Sequence, residues 1–446
     1  LPSWKKTIAE TNKDWERVIQ YNRTLLDLTL AENFREDLPA IYLSLASAHF
    51  HLRQTEQSIE YLDKTLSLVE EIRTTDNKNL SLGLLEIYHK AYRLMAQIRL
   101  ELPRDSFELA DYLKARLLTD KINNSATKVS SSIDPAMRRK LELLSLDLVD
   151  VPGDDSEISK LETLFTTYIP EAAIHRPDFS GLDKVPELED TAVISYLFTL
   201  DERLVAYVWE KGKPIRSVYL SGSEAHIAGE VKRTEQMIKN RIFFKRDGKD
   251  LFEKLLQPLN ISAMHLIIVP DKQLWKIPFQ ALSPDGEKYL IEEKIVSYAP
   301  SVSILIEQLR SPKAARQTLH ALANSSYNNR VLRYVNDEST TVSALFSSRP
   351  TLNATVQDFK RLADKSDILH FSMHAQIDSD QPLDSFLGFR SVGTDDGRLT
   401  VEEILNSKLR KGSLVFLASC DTNNVLSGEG LVSLAWGMMG DGATTV

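Results

Sequence analysis

The stretch GSLVFLASCDTNN (residues 412–424) decides how this chain is read. Leu414-Val415-Phe416-Leu417-Ala418 is an unbroken apolar run of the kind that forms a strand buried on both faces. It stops abruptly at the polar Ser419-Cys420-Asp421-Thr422, and Cys420 is the only cysteine in 446 residues, so any thiol chemistry must be here. A second apolar run, DILHFSMH (367–374), ends on His374, 46 positions earlier. In open α/β sheets, ligands and catalytic groups gather beyond the carboxyl ends of the strands, where both residues lie. A thiolate can attack a carbonyl when a neighbouring imidazole takes its proton and later protonates the leaving group.

Further runs of the same character extend outward from this pair. TAVISYLFTL (191–200) and RLVAYVWEK (203–211) read as two strands joined by a turn at Asp201-Glu202-Arg203, and IRSVYL (215–220) follows. MHLIIVPD (264–271), KIVSYAP (294–300) and TLHALAN (318–324) are buried-type strands. Helical stretches alternate with them at Val231–Ile238, Leu251–Leu256, Val302–Leu309, Thr340–Leu345 and Leu431–Met438. This alternation predicts an α/β layer sandwich with a mostly parallel sheet over residues 190–446.

Residues 1–150 have another character, with apolar residues at three-to-four spacing and few glycines, which predicts successive helices. Ile19-Gln20-Tyr21 and Ile59-Glu60-Tyr61 echo each other 40 positions apart. The best unit is Ala40–Leu68, with Ala46, Ser58 and Thr65 where two antiparallel helices would approach closely and a polar turn at Arg53-Gln54-Thr55. It resembles a tetratricopeptide repeat, and a looser third pair surrounds Ala96 and Ala110. An irregular helical bundle is the alternative. Residues 151–189, broken by Pro152, Pro170, Pro177 and Pro186, read as a helical connector.

A net charge of −9 argues against nonspecific affinity for nucleic acid or membrane surfaces. A single cysteine cannot form an internal disulfide, so a reducing cytoplasmic compartment is expected. No apolar stretch approaches the roughly 18 residues of a membrane span. The chain opens at Leu1-Pro2 and closes at Gly440–Val446, which reads as the start of a further strand, so material is expected beyond both ends.

A lone cysteine with a histidine about 50 residues upstream is the spacing of caspase-type proteases. Four stretches make the resemblance specific: LIIVPDKQLWKIPFQAL (266–282), YLIEEKIVSYAPSVSIL (289–305), DILHFSMHAQIDSDQPLDSFLGF (367–389) and the run from Gly412 to Val446. The segment from about Asp190 to Val446 resembles a CHAT domain, a caspase- and separase-like cysteine peptidase domain, and helical repeats upstream are a common arrangement in that family. The resemblance implies a caspase-like three-layer sandwich. It also implies that Cys420 is the nucleophile and His374 the general base and acid, with no cofactor or metal. The backbone amides of Cys420 and Ala375 would form the oxyanion hole. Ala375 stands where many members have glycine, and the strands expected after Val446 are absent.

Other side chains near the pair are weighed on their chemistry. Asp378, Asp380, Asp384, Asp421 and Glu429 crowd the flanking loops; Asp421, Asp378, Asp384 and Glu429 are candidates for a pocket taking Lys or Arg, against the ordinary fate of loop carboxylates as solvated acids. His370 shares a face with His374, but no further Cys or carboxylate stands at zinc-ligand spacing, so a structural role is expected. The glycine-rich run Ser427–Ala443 lacks the lysine of a phosphate loop.

These readings predict a cysteine endopeptidase that cleaves a protein partner and is regulated through its repeat-like region, where a partner or activator would bind. Relatives in bacterial defence systems, some RNA-guided, suggest an indirect link to an RNA-guided effector complex. A catalytically silent adaptor that binds proteins through the repeats is the alternative. A nucleic-acid-responsive subunit is a third reading, resting on Lys232-Arg233, Lys239 to Lys245-Arg246, and Arg361.

Overall fold

A computed structural model of the protein describes residues 2–32, 34, 37–75, 82–112, 114, 179–240, 242, 245–311, 313–377, 384–419 and 428–446. Most of the predicted connector lies outside them. Six helices open the chain: α1 (Pro2–Thr11), α2 (Trp15–Ala31), α3 (Leu38–His51), α4 (Thr55–Thr75), α5 (Leu82–Ile98) and α6 (Pro103–Tyr112). Each packs on the next. The predicted polar turn after α3 is made by Arg53 in the left-handed conformation (φ 60°), which stops the helix and returns the chain.

Ala46 and Ser58 are fully buried, and the Ser58 hydroxyl donates to the Ala46 carbonyl across the α3–α4 contact at 2.8 Å. The same contact recurs between α5 and α6, where Ser106 Oγ donates to Ala96 O at 2.5 Å. A hydroxyl on one helix reaches a carbonyl on its neighbour only if the two backbones come close, which small residues permit. Thr65, also buried, bonds instead within its own helix to Tyr61 O.

Two sheets follow. The first contains β1 (Thr191–Phe198), β2 (Arg203–Glu210), β3 (Arg216–Ser223), β4 (His265–Val269) and β5 (Ile295–Tyr298), in the order β3-β2-β1-β4-β5. Helices α7 (Glu224–Lys239) and α8 (Lys245–Leu255) lie between β3 and β4 in sequence. All eight residues of β1 are buried, which requires cover on both faces. Strand alternation divides that cover. Val193 and Leu197 of β1, Val205, Tyr207 and Trp209 of β2, and Ile267 and Val269 of β4 share one core with Met95, Phe107 and Ala110 of the N-terminal helices. Their neighbours Ile194, Tyr196, Phe198, Leu204, Ala206, Leu266 and Ile268 pack with Ile227, Val231, Leu251 and Leu255 of α7 and α8. The helical region is therefore one outer layer of this sheet.

The second sheet begins after α9 (Val302–Arg310). Its strands are β6 (Leu319–Asn324), β9 (Thr351–Leu352), β10 (Ile368–Gln376), β11 (Phe386–Gly388), β12 (Arg398–Thr400), β13 (Ser413–Ala418) and β14 (Ala443–Thr445). A separate hairpin, β7 (Ser326–Tyr327) and β8 (Arg330–Val331), follows β6. Helices α10 (Val335–Ala344), α11 (Val356–Leu362), α12 (Val401–Leu405) and α13 (Gly428–Asp441) complete the unit. Leu369, Phe371, Met373 and Ala375 of β10 form a core with residues of α11, α12 and α13. Ile368 on the opposite face packs with Val342 of α10.

The expectation of a mostly parallel sheet needs correction, because both sheets are mixed. The short turn after β1, with Glu202 at φ 61°, reverses the chain and makes β1, β2 and β3 antiparallel, while β1, β4 and β5 run parallel. In the second sheet β9, β6, β10, β13 and β14 are parallel. However, β10 outlasts β6: their last pair is Met373 with Asn324, and β11 then pairs antiparallel with His374–Gln376. An unpaired overhang of backbone donors and acceptors is filled by the next strand to arrive.

Buried polar groups tie the helical region to the first sheet. Arg93 of α5 bonds to the carbonyl of Phe198 (2.8 Å) and to Asp271 (2.9 Å), whose carboxylate also accepts from Phe198 N. Lys114 Nζ donates to Ser195 Oγ and to the carbonyls of Tyr196, Val269 and Pro270. Asp111 accepts from the amides of Val302 and Ser303, the free donors at the start of α9. The first sheet in turn meets the second where Trp275, in the 3-10 turn Lys272–Lys276, packs edge-to-face on Trp436 of α13 with ring centres 5.6 Å apart.

Candidate active site

His374 lies two residues inside the end of β10, where parallel pairing with β6 gives way to antiparallel pairing with β11. Its backbone pairs with Gly388. Its side chain is 8% exposed, and Nε2 lies 3.1 Å from the carbonyl of Arg330 in β8. A carbonyl oxygen can only accept, so Nε2 carries the proton and donates. In the neutral ring this leaves the lone pair on Nδ1, the nitrogen able to take a proton from a nucleophile.

The β7–β8 hairpin that supplies this carbonyl turns through Asn328 and Asn329, both left-handed (φ 48° and 63°). Two such residues make the two-residue turn whose twist matches a hairpin. Tyr327 fixes the hairpin on β11. A Cβ added to Gly388 would lie 2.8 Å from Tyr327 Cγ, so the ring rests directly on the glycine backbone opposite His374. Sequence reading missed Arg330, Tyr327 and Gly388. Only the Asn-Asn dipeptide signalled the turn.

Along the same face, His370 Nε2 lies 3.0 Å from Glu338 Oε1 and 3.1 Å from Ser372 Oγ, and its ring tilts against Phe416 at 6.1 Å. These contacts describe a buried histidine within the sheet. Among the described residues no three His, Cys, Asp or Glu side chains converge as metal ligands.

Ala375 is 7% exposed and pairs with Leu387 in the strand. It is not among the residues with positive φ, so its backbone makes no demand that only glycine could meet. Asp384 lies two residues before β11, and its carbonyl accepts from Arg398, whose guanidinium stacks on Phe386 at 4.3 Å. Glu429 falls in the first turn of α13. Cys420, Asp421, Asp378 and Asp380 lie outside the described residues. Ser419, the last described residue before Cys420, is buried, and its hydroxyl has no hydrogen-bond partner among the described residues.

Two of the basic clusters are locally paired, Arg233 with Asp247 (2.6 Å) and Arg361 with Asp358 (2.9 Å). Lys245 donates to the Glu287 carbonyl and lies over the Tyr289 ring. No helix among the described residues is long and apolar enough to cross a membrane.

The parallel register of β10 and β13 runs from Ile368 opposite Leu414 to Ser372 opposite Ala418, each pair offset by 46 positions. That is the separation of His374 and Cys420 in the sequence. No curated protein matches the chain. Residues 245–446 match the family model of the CHAT domain, a family related to caspase-like cysteine peptidases.

Proposed function

We propose that the chain is a cysteine endopeptidase in which Cys420 and His374 form the catalytic dyad, within a CHAT domain spanning residues 190–446. The observation that carries this reading is the β10–β13 register. Its 46-residue offset equals the sequence separation of His374 and Cys420, and that agreement supports pairing the two. Partners in a parallel pair point to the same face, and neighbouring strands lie about 4.8 Å apart.

His374 Nδ1 takes the thiol proton, and Sγ attacks the scissile carbonyl carbon. The backbone amides of Cys420 and Ala375 receive the oxyanion. The imidazolium returns its proton to the leaving amine, and water then hydrolyses the thioester with His374 again as base. Asp421, Asp378, Asp384 and Glu429 would form an acidic pocket for a Lys or Arg side chain before the scissile bond.

The helical region, read as tetratricopeptide-like, would bind a protein partner or activator and control the dyad. Its shared core with the first sheet supports this, as does a continuous line of contacts. Arg93 pairs with Asp271, the next turn carries Trp275, and Trp275 packs on Trp436 in the helix that follows the Cys420 segment.

The test is labelling by a lysine- or arginine-directed acyloxymethyl ketone peptide, comparing wild type with His374→Ala, alone and with lysate of the source cell. Labelling of Cys420 that requires His374 is expected. Labelling indifferent to His374 would overturn the peptidase reading; failure of the peptide probe where a small alkylating agent reaches Cys420 would favour the adaptor or a different side-chain preference.

A further inference from the structure

We infer that Asn324 is a positioning residue for His374: its buried amide latches the β7–β8 hairpin onto β11 and so holds the Arg330 carbonyl on the imidazole. The catalytic consequence rests on the peptidase reading above; the positioning itself does not.

Asn324 ends β6 directly opposite Met373, one residue before the histidine, and is 2% exposed. Its Nδ2 donates to two carbonyls, Ser326 O at 3.0 Å and Gly388 O at 2.9 Å. The first belongs to the hairpin and the second to the residue paired with His374. A single NH2 group therefore joins the hairpin that contacts the ring to the strand that carries the ring's backbone. Both acceptors are carbonyls, so only an amide or another two-proton donor of this size can serve both. Aspartate, though isosteric, would face two oxygens with a third.

Among the described residues the hairpin has few other hydrogen-bonded ties. It has two residues per strand, and one backbone bond, Leu332 N to Ser325 O at 2.8 Å, closes its base. Tyr327 on Gly388 and against Phe386 (ring centres 5.5 Å) supplies the apolar half of the seat. Without the amide, Ser326 O and Gly388 O lose their shared donor, the hairpin shifts, and Arg330 O no longer fixes the proton on Nε2. The imidazole then distributes its proton between both nitrogens, and the base at Nδ1 is only partly available.

The experiment reads the tautomer directly. Nitrogen-15 spectra of the histidine rings in the full chain, with the His374 signals identified by their loss in His374→Gln, are compared among wild type, Asn324→Ala and Gly388→Ala. The glycine variant displaces Tyr327 without touching the amide, and a thermal melt establishes which variants are folded. Read in a Cys420→Ala background at a pH above the ordinary histidine value of about 6.5, so that no thiol proton reaches the ring, the otherwise wild-type protein is expected to show Nε2 protonated and Nδ1 bare. Each folded variant is expected to show mixed tautomers, with labelling of Cys420 slowed about 10- to 100-fold, as when a partner that orients a functional histidine is lost. Retention of the wild-type tautomer in a folded Asn324→Ala protein would overturn the inference. A tautomer shift in a protein whose Cys420 ignores His374 would leave the latch standing and remove the peptidase.

Discussion

Arg93 in α5 and Asp271 just past β4 are ion-paired at 2.9 Å with both side chains 8% exposed, although 178 residues separate them in sequence. Burial alone would raise the Asp271 carboxyl, but Arg93 and Lys114 outweigh it and hold the group below its ordinary range. Removing either partner strands a buried charge. Arg93→Ala should lower stability by about 3–5 kcal/mol in a denaturant titration, and Asp271→Ala by a comparable amount. The double variant should lose much less than the sum. Two small, additive losses would show that the helical region is not anchored here.

Lys114 gives the same junction a pH dependence. Burial pulls its ammonium down from the ordinary 10.5 to about 8, despite Asp271 and Asp111 nearby. Between these two values the unfolded chain holds a proton that the folded chain has released, so this group makes stability rise with pH. Urea midpoints should climb from pH about 8 toward 10.5 relative to Lys114→Met, in which that component is missing. Parallel profiles for the two proteins would contradict the assignment.

Trp275 and Trp436 join the two sheets through an edge-to-face contact. A double-mutant cycle with alanine at both positions should return a coupling of about 0.5–1.5 kcal/mol. If the contact also transmits the state of the helical region to the Cys420 segment, Trp275→Ala should change the alkylation rate of Cys420 while the chain stays folded. A coupling near zero would remove this contact from the line of communication.

The paired hydroxyls of the helical region make a packing prediction. Ser58 and Ser106 each reach a carbonyl on the preceding helix. Ser58→Ala should cost about 1 kcal/mol, the net value of one hydrogen bond. Ser58→Leu should cost about 1–3 kcal/mol by forcing α3 and α4 apart. Thermal melts distinguish the two, and equal small effects would mean the helices are not in close contact.

Most of the long strands of this fold were legible because they are largely apolar runs; β3, RSVYLSGS, is the exception. Even the double cover of the first sheet was implicit in TAVISYLF, which offers no polar face to solvent. What escaped was short or depended on the backbone. The β7–β8 and β11–β12 hairpins have two or three residues per strand, too few for any periodicity to register. At the site, His374 was marked by its place at a strand end. Its partner, the Arg330 carbonyl, has no side-chain signature, and Asn324 acquires its role only when β6 and β11 converge. That the N-terminal helices share a core with the first sheet was hidden for the same reason, since it arises from Arg93, Asp111 and Lys114 meeting residues 81 to 192 positions away.

The most direct test of the dyad uses the solitary cysteine as its own reporter. The alkylation rate of Cys420 with iodoacetamide should be measured across pH in wild type and in His374→Gln; every labelled thiol in the chain is Cys420. A thiol beside an imidazole that accepts its proton reacts well below the ordinary cysteine pKa of about 8.5. Wild type is therefore predicted to label rapidly at neutral pH, and His374→Gln to show a single slow titration near the ordinary value. Superimposable profiles for the two proteins would contradict the dyad.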